Sequence, residues 1–268
     1  QSDTNIAVTE AERLITSEGI CALMGTYSSA AAAASAPIAE KYGIPYMITN
    51  ATADEILQNG YEYTFRANVC NGLHAIDMVA YIQELNENSD WGYGMSVGIS
   101  NEIAENYADQ FSVVMNEGYE PDIADFSAIV NQIRSSDVDL IIPMNYLNDA
   151  LLFVQTLADS QVDIPVLAHS GGYTVPECLQ NAGSNANYLL TFSSWDPSVL
   201  QFKSEEAVEI NEKYKAEYSD GVDMDTYAAN GWLGGVVMLN AIERAASTDP
   251  EAIKDAILAT DLGPDSYE

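Results

Sequence analysis

Hydroxyl side chains stand at two points where an apolar segment gives way to a helix-like one. Ser28 and Ser29 follow ICALMG and precede an alanine tract, and Thr52 follows IPYMIT three residues before Glu55. A hydroxyl at a helix start accepts a hydrogen bond from a free backbone N–H, which makes Ser28 a predicted N-cap. Thr52 and Glu55 have the spacing of a capping box. Both pairs are therefore predicted to cap helices.

The same helix starts could also bind an anion. Free N–H groups and the positive end of the helix dipole suit a carboxylate. Ser28 could hold it with its hydroxyl and its backbone N–H, and Thr52 could do so from the adjacent loop. The carbonyl of Asn50 or Ala51 could then accept from an ammonium. The residues predict caps that double as the walls of a carboxylate site.

The sequence gives little support to catalysis and contains no evident metal-binding or cofactor-binding motif. Cys21, Cys70 and Cys178 have no metal-ligand spacing. Cys21 and Cys178 have apolar neighbours in the sequence, which predicts buried free thiols. His74 and His169 lie in no recognisable nucleophile motif. The letters of GxSxG occur at residues 94–98, but they lie inside the predicted strand 93–99, whereas a nucleophilic serine needs the turn from a strand to a helix. No phosphate-binding GxxxxGK[ST] or GxGxxG loop is present. An enzyme of flavodoxin-like or hydrolase type is the least favoured function class, and neither metal nor cofactor is expected.

The charge balance excludes one class of partner. The 268 residues include 41 acidic and 9 basic side chains, a net charge of −32. Such a chain repels phosphate backbones, which argues against nucleic-acid binding. The acids are spread along the chain, as on solvated helix faces, and strong self-repulsion is tolerable where salt screens it. A saline extracellular environment is our interpretation. No apolar run reaches membrane-spanning length, and any signal peptide lies outside this sequence.

Strand-like and helix-like segments alternate with short connections, which predicts βαβ units and a doubly wound α/β fold with parallel sheets. Predicted strands are 20–25, 44–49, 62–69, 93–99, 138–144 and 164–169. Predicted helices include 72–86, 102–118, 125–137 and 148–161, and Pro37 is expected to kink or break the alanine-rich helix. Parallel sheets bind ligands at the carboxyl ends of their strands. The loops there are GTYSS, TNATADE, ISNE, MNYLND and HSGGYT.

At this point the chain resembles a known family. LITSEGICALMGTYSSAAAASAPIAEKYGIPYMITNATADEILQNGYEYTFRANV is similar to the N-terminal lobe of type I periplasmic binding proteins, specifically the branched-chain amino-acid receptors. ADFSAIVNQIRSSDVDLIIPMNYLNDALLFVQTLAD and YAANGWLGGVVMLNAIERAASTDPEAIKDAI fit the same pattern. The resemblance covers nearly the whole chain. It implies a non-enzymatic, extracytoplasmic protein, in the periplasm or lipid-anchored at the cell surface, that delivers a small ligand to an ABC-transporter permease.

The resemblance also assigns individual residues. It implies that Ser28 and Thr52 hold the α-carboxylate and α-ammonium of the ligand, with help from the carbonyl near Ala51. Tyr146 matches a pocket tyrosine of the family. Further residues in the predicted site loops could line the pocket or only pack there: Tyr27, Ser29, Asn50, Tyr173 and Trp195.

The sequence departs from the family pattern at two site positions. Ile103 falls where the family has a tyrosine, and Ser170 falls where it has an acid for the ammonium. Glu102 and Asp149 are the acids nearest to site loops in the sequence. Because a buried ammonium needs an anionic partner, we expect a small carboxylate ligand, an amino acid ahead of a non-amino carboxylate.

The resemblance implies two lobes joined by a hinge, residues 1–71 with 194–268 and residues 72–193, with the ligand cleft between them. It further indicates that the chain starts after the family's first strand, helix and second strand and stops before its last strands. A ligand-sensing receptor domain of the same fold is the alternative function. Sequence beyond this chain would distinguish the two, since a lipid-attachment cysteine favours transport and a transmembrane helix with a signalling domain favours sensing.

Overall fold

The structure is a computed structural model. It describes residues 3–71, 84–87, 90–120, 123–168, 170–187, 189–191, 193–198, 205–218 and 221–261, with the backbone alone at 84–87, 90–93 and 170. The chain divides into two compact units: unit 1 is Gln1–Cys70 with Trp195–Glu268, and unit 2 is Asn71–Ser194. Each unit is described by itself below.

The strands of the described chain are short. In chain order they are β1 (Leu23–Gly25), β2 (Tyr46–Ile48), β3 (Thr64–Arg66), β4 (Glu84–Glu87), β5 (Asn116–Tyr119), β6 (Ile142–Met144), β7 (Leu167–Ala168) and β8 (Leu190–Thr191). All of the pairings between them are parallel.

The helices of the described chain alternate with these strands. They are α1 (Thr4–Arg13), α2 (Ser29–Tyr42), α3 (Glu55–Gln58), α4 (Asp90–Glu102), α5 (Ser127–Ser135), α6 (Leu147–Asp159), α7 (Ser170–Tyr173), α8 (Pro176–Ala182), α9 (Glu205–Glu217), α10 (Thr226–Ala245) and α11 (Pro250–Leu258). Short π-helical segments, Leu14–Glu18 and Ile103–Tyr107, continue α1 and α4, and a 3-10 turn at Gly183–Ala186 follows α8. No helix in the described ranges is both long enough and apolar enough to cross a bilayer.

Each unit is built on a parallel sheet. Unit 1 has the order β1-β2-β3, in which Met24 pairs with Met47 and Met47 with Phe65. Unit 2 has the order β5-β4-β6, and a parallel bridge between Ile141 and Val166 continues it into β7-β8. The parallel α/β architecture predicted from the alternating pattern is confirmed.

Small side chains bring helices close to the sheet of unit 1. Ala32, Ala36 and Ala39 of α2 are fully buried against Tyr46 and Ile48 of β2. With no volume beyond Cβ, an alanine face lets the helix backbone approach the strands closely. The other face of β2 presents Met47, and a second buried cluster covers it from α10 and α11: Met238, Ala241, Ile253, Ala256 and Ile257.

Helix α2 runs unbroken through Pro37, so the predicted break is wrong. Proline removes one backbone donor from a helix interior. Burial of Ala36 and Ala39 on either side of it offsets that loss, since both contribute to the core of unit 1.

The central part of unit 2 differs most from the sequence-based expectation. Residues 93–99, predicted as a strand, belong to α4. The preceding strand is β4, whose first three residues fall in the segment 72–86 that was predicted as a helix. Residues 72–83 of that segment lie outside the described residues. The buried residues Met95, Ile99 and Ile103 recur every fourth position, which is the spacing of a helix face. Glycine and valine between them gave the segment the composition of a strand.

The predicted helix at 102–118 is also wrong over most of its length. Only its first residues are helical, in the π-helical segment that ends at Tyr107, and β5 begins at Asn116. Strands β1, β2, β3, β6 and β7 lie within their predicted segments, and α5 and α6 coincide with theirs apart from end residues.

Candidate functional site

Ser28 is the N-cap of α2, as predicted. Its backbone is extended (φ −76°, ψ 130°), its Oγ accepts a hydrogen bond from Ala31 N at 3.4 Å, and its carbonyl accepts from Ala32 N at 3.0 Å. A helix leaves its first N–H groups without intrahelical partners. The cap bond is long, and the hydroxyl keeps its own proton to donate. Ser28 can therefore bind an anion while it caps the helix.

Thr52 is not part of a capping box. Helix α3 begins at Glu55 after Asp54, which makes no side-chain cap bond. The loop is held from outside instead, because the buried Ser29 Oγ accepts from Ala53 N at 3.3 Å. Thr52 is only 6% exposed, and its hydroxyl bonds to no other residue that the structure describes. This hydroxyl is therefore available to a ligand.

Backbone hydrogen bonds tie the loop after β1 to the loop after β2. Asn50 N and Ala51 N both donate to Thr26 O at 3.2 Å, and Thr26 Oγ1 lies 2.9 Å from Tyr46 Oη. Burial raises the pKa of Tyr46 to about 12, so its phenol stays protonated. These contacts fix Ser28 and Thr52 in neighbouring loops of unit 1.

Asn50 is held by the protein itself. Its Nδ2 donates to Thr49 Oγ1 at 3.3 Å and to Tyr227 O at 3.4 Å, and its Oδ1 accepts from Asn230 Nδ2 at 3.1 Å. Its carbonyl accepts from Asn68 Nδ2 at 3.2 Å. The carboxamide therefore organises the loop, and one lone pair of the carbonyl predicted for an ammonium is already used. Ala51 next to it is a buried core residue.

Two tyrosines form an aromatic pair beside Ser28. Tyr27 is 42% exposed, and its ring meets the ring of Tyr227 edge-on, with centroids 5.0 Å apart and planes at 85°. Tyr227 was missed in the sequence. The available signal was its place two residues after Asp225, the N-cap of α10. Trp195 donates to Met224 O at 2.8 Å.

Arg66 is a second residue that sequence reasoning missed. It ends β3, is half-buried, and its guanidinium donates to Ala53 O. Burial lowers the pKa of Arg66, although not enough to discharge a guanidinium. The positive charge interacts with the nearby carboxylates of Asp54 and Glu55, so Arg66 offsets the acids that follow Thr52.

The predicted site residues of unit 2 differ in their burial and in their positions. Tyr146 is half-buried directly before α6, where a pocket tyrosine was expected. Tyr173 is 2% exposed and its hydroxyl donates to Asn145 Oδ1, so it packs in the interior of unit 2, and its role in a ligand pocket stays a prediction. Asn145 in turn donates to Tyr119 Oη at 2.6 Å. Burial raises the pKa of Tyr173 well above its usual value, which keeps this donor protonated.

A glycine positions the chain around Tyr146. Gly172 N donates to Asn145 O at 2.8 Å, and a Cβ on Gly172 would lie 2.5 Å from both Leu147 N and Leu147 Cα. Only glycine allows the backbone of α7 to approach the start of α6 this closely.

Ile103 and Glu102 do not lie in a loop after a strand, because α4 occupies that segment. Ile103 is buried in the core of unit 2, and Glu102 accepts from Asn106 Nδ2 at 2.9 Å. Asp149 is buried in the first turn of α6, where the helix dipole stabilises a carboxylate. Ser170 begins α7, and its side chain lies outside the described residues, as does His169.

The thiols and acids build no further chemistry in the described part of the chain. None of the three cysteines forms a disulfide. Cys178 is buried, as predicted, whereas Cys21 and Cys70 are half-buried, so the predicted burial is wrong for Cys21. Burial raises the pKa of the Cys178 thiol, which disfavours the reactive thiolate. Within the described ranges, no three His, Cys, Asp or Glu side chains are grouped as metal ligands.

Comparison with known proteins assigns this chain to a family. The sequence pattern of the family described as periplasmic binding protein matches residues 1–262. Leu/Ile/Val-binding protein homolog 7 of Brucella abortus is 27% identical over 281 residues, which cover 97% of this chain and 69% of the relative. Homolog 8 of the same organism is 28% identical over 281 residues, covering 97% of this chain and 68% of the relative.

Solved structures share the fold. The leucine binding protein LivK of Thermotoga maritima superposes with a TM-score of 0.87 at 25% identity, covering 97% of this chain and 75% of that one. LivJ of Streptococcus pneumoniae in complex with isoleucine gives 0.83 at 22% identity, covering 99% and 76%. A solute binding protein of R. palustris in complex with benzoate gives 0.83 at 21%, covering 98% and 74%.

Proposed function

Because this chain belongs to the periplasmic binding protein family, whose members bind ligands and are not enzymes, we propose that it captures a small carboxylate ligand outside the cytoplasm. The ligand we favour is an amino acid. In this proposal the loaded protein delivers it to the membrane permease of an ABC transporter.

One observation supports a carboxylate ligand. Two hydroxyls, that of Ser28 at the start of α2 and that of Thr52, which bonds to no other described residue, lie in segments joined by the hydrogen bond from Ala53 N to Ser29 Oγ. A carboxylate has two oxygens that each accept more than one hydrogen bond. Free N–H groups of the first helical turn and the two hydroxyl protons are donors of the matching kind.

The negative charge of the whole chain opposes the binding of an anion, so the donors at the site must act at short range. A net charge of −32 repels an anionic ligand at long range, most strongly at low salt. Binding an anion then requires donors at short range. The start of α2 supplies a positive field at Ser28, and the guanidinium of Arg66, which bonds to Ala53 O, offsets the charges of Asp54 and Glu55 next to Thr52.

The related proteins narrow the ligand class. The Brucella relatives are described as homologs of a Leu/Ile/Val-binding protein, and structures of the same fold hold isoleucine or benzoate. These ligands share a carboxylate and an apolar body. That shared chemistry supports a carboxylate, and the names of the Brucella relatives support our preference for an amino acid.

The test is to identify what the purified protein carries and then to measure affinity. Native mass spectrometry of the protein as isolated reports any bound ligand. Calorimetry then compares leucine, isoleucine, valine and benzoate with their carboxamide analogues and with a sugar and a nucleoside. We expect carboxylates to bind and the uncharged analogues to lose most of the affinity. Binding of sugars or nucleosides alone would show that the proposal is wrong.

A further inference from the structure

Asn50 joins distant segments of unit 1 with a single side chain. Its Nδ2 donates to Tyr227 O and its Oδ1 accepts from Asn230 Nδ2, at 3.4 and 3.1 Å. Tyr227 and Asn230 are three residues apart on α10 and therefore share one helix face. The carboxamide uses its donor and its acceptor on the same turn of that helix. This arrangement sets both the rotation and the height of the turn relative to the loop after β2.

The turn that Asn50 holds carries an aromatic ring of the candidate site. The ring of Tyr227 packs edge-on against Tyr27, which directly precedes the N-cap Ser28. Tyr27 is 42% exposed, so the pair lies at the surface of unit 1 and not in its core. An exposed ring without fixed neighbours would have to be ordered when a ligand binds, at a cost in affinity. The bonds to Asn50 provide that order in advance.

We propose that Asn50 is a positioning residue that holds Tyr227 against Tyr27, and that this fixed aromatic wall selects carboxylates carrying a flat aromatic ring. The inference rests on the proposed function, since it places the wall beside the carboxylate site. Aromatic rings gain from edge-to-face contact beyond the area they bury, a gain that a saturated ring of the same size lacks. The ratio of affinities for an aromatic and a saturated ring therefore depends on Tyr27 and Tyr227. The affinity for the carboxylate group depends on Ser28 and Thr52.

Two matched ligand pairs separate these contributions. In phenylalanine with cyclohexylalanine, and in benzoate with cyclohexanecarboxylate, the ring is flat and aromatic in the first member and saturated and puckered in the second. We expect the unaltered protein to prefer the aromatic member of at least one pair by about three- to tenfold. The pair that is bound also tells whether the natural ligand carries an amine. Isothermal titration calorimetry measures the four dissociation constants.

Variants of the network then test the role of Asn50. Asn50→Ala and Asn230→Ala should bring the ratio of the two dissociation constants close to one. Asn59→Ala is the matched control, because Asn59 Nδ2 bonds to Glu55 O on an exposed surface of the same unit. Its ratio should equal that of the unaltered protein. A variant that merely unfolds in part weakens both members of a pair equally and leaves their ratio unchanged.

Asn50→Asp gives an internal rescue. The ionised aspartate can accept from Asn230 but cannot donate to the carbonyl of Tyr227. Once protonated, it again offers one donor and one acceptor, so the preference for the aromatic member should return as the pH falls through the pKa of the new carboxyl group. The control is the ratio of the unaltered protein over the same pH range, which should stay constant.

The outcomes separate the two proposals. Equal affinity for aromatic and saturated rings in the unaltered protein overturns the inference and leaves the carboxylate function standing. An unchanged ratio in folded Asn50→Ala also overturns it. Failure of every carboxylate in the proposed-function screen, these pairs included, overturns the proposed function and the inference with it.

Discussion

Ser29 Oγ accepts a hydrogen bond from Ala53 N at 3.3 Å, and both residues are buried. Ser29 belongs to the first turn of α2, and Ala53 lies in the loop after β2, which carries Thr52. One hydroxyl therefore holds the two candidate ligand-binding segments at a fixed separation. A side chain that does not contact the ligand can in this way position the side chains that do.

Loss of the Ser29 hydroxyl should weaken both folding and binding. Ser29→Ala leaves the buried N–H of Ala53 without an acceptor, which we expect to lower the free energy of unfolding by about 1–3 kcal/mol. Ser35→Ala is the control, since Ser35 is buried on the same helix and no residue in the described chain bonds to its hydroxyl. Urea denaturation measures both variants. Equal stability of the two variants would contradict the role of Ser29.

Removing the hydroxyls of Ser28 and Thr52 together should weaken carboxylate binding by about 2–5 kcal/mol, as expected for two charge-assisted hydrogen bonds. Ser135→Ala with Thr16→Ala is the control, because both hydroxyls bond only to helix carbonyls. Calorimetry with the ligand identified by mass spectrometry measures the effect. Unchanged affinity in the folded double variant would refute the assignment.

Ser28→Asp separates capping from binding. Aspartate is as good an N-cap as serine, so helix α2 and the thermal stability should be retained. The added negative charge lies where the carboxylate is proposed to bind, and affinity should therefore fall by at least tenfold at neutral pH. Retained affinity in this variant would show that the anion binds elsewhere.

Gly172→Ala should destabilise unit 2. The new Cβ would meet the backbone of Leu147 at 2.5 Å, and backbone atoms cannot move aside as the end of a side chain can. We expect a loss of about 1–3 kcal/mol of unfolding free energy. Gly231→Ala is the matched control, because a Cβ there meets nothing within 4 Å and alanine favours the helix α10. Equal effects of the two substitutions would contradict the close approach.

Salt should stabilise this protein. The net charge of −32 favours expansion of the folded chain through self-repulsion, and added ions screen it. We expect the melting temperature to rise from low salt to molar sodium chloride, and to continue rising above about 0.1 M, where the Debye length is already about 10 Å. Calorimetric scans at constant pH measure this. A constant melting temperature would remove the saline-environment interpretation.

Acid should remove a contribution from Asp223. The hydrogen bond from Asn211 Nδ2 at 2.8 Å, helped by Lys215, lowers the pKa of Asp223 below its ordinary 3.8. A lowered folded-state pKa stabilises the fold above the unfolded-state pKa, and this stabilisation is lost as the pH falls through the folded value. Asp223→Ala should therefore destabilise at pH 7, and the loss should become smaller as the pH falls through the folded-state pKa of Asp223. Half of the side chain is exposed, so we expect less than about 1 kcal/mol.

Local patterns in the sequence predicted those features of the structure that depend on residues close together in the chain. The strand–helix alternation and the cap at Ser28 both follow from residues within one or two turns of each other. The helix α4 was missed because its buried face, Met95 and Ile99, is interleaved with glycine and valine, which favour strands.

Contacts between distant residues left no local signal. Asn50 and Asn230 bond across 180 positions, and Tyr173 and Asn145 across 28. A tyrosine in a loop can line a pocket or complete a core, and the sequence around Tyr173 contains nothing that separates the two. The lobe boundaries, the hinge and the ligand-binding roles stay predictions.

The alanine face of α2 determines where the molecule can accept a chemical label. Ala32, Ala36 and Ala39 leave no room for a larger side chain, whereas Ala33, one helical turn beyond Ser29, is exposed. A fluorophore coupled to Ala33→Cys would sit near the candidate anion site without entering the core. With the half-buried Cys21 and Cys70 replaced to avoid side labelling, the protein would become an optical reporter of its own ligand.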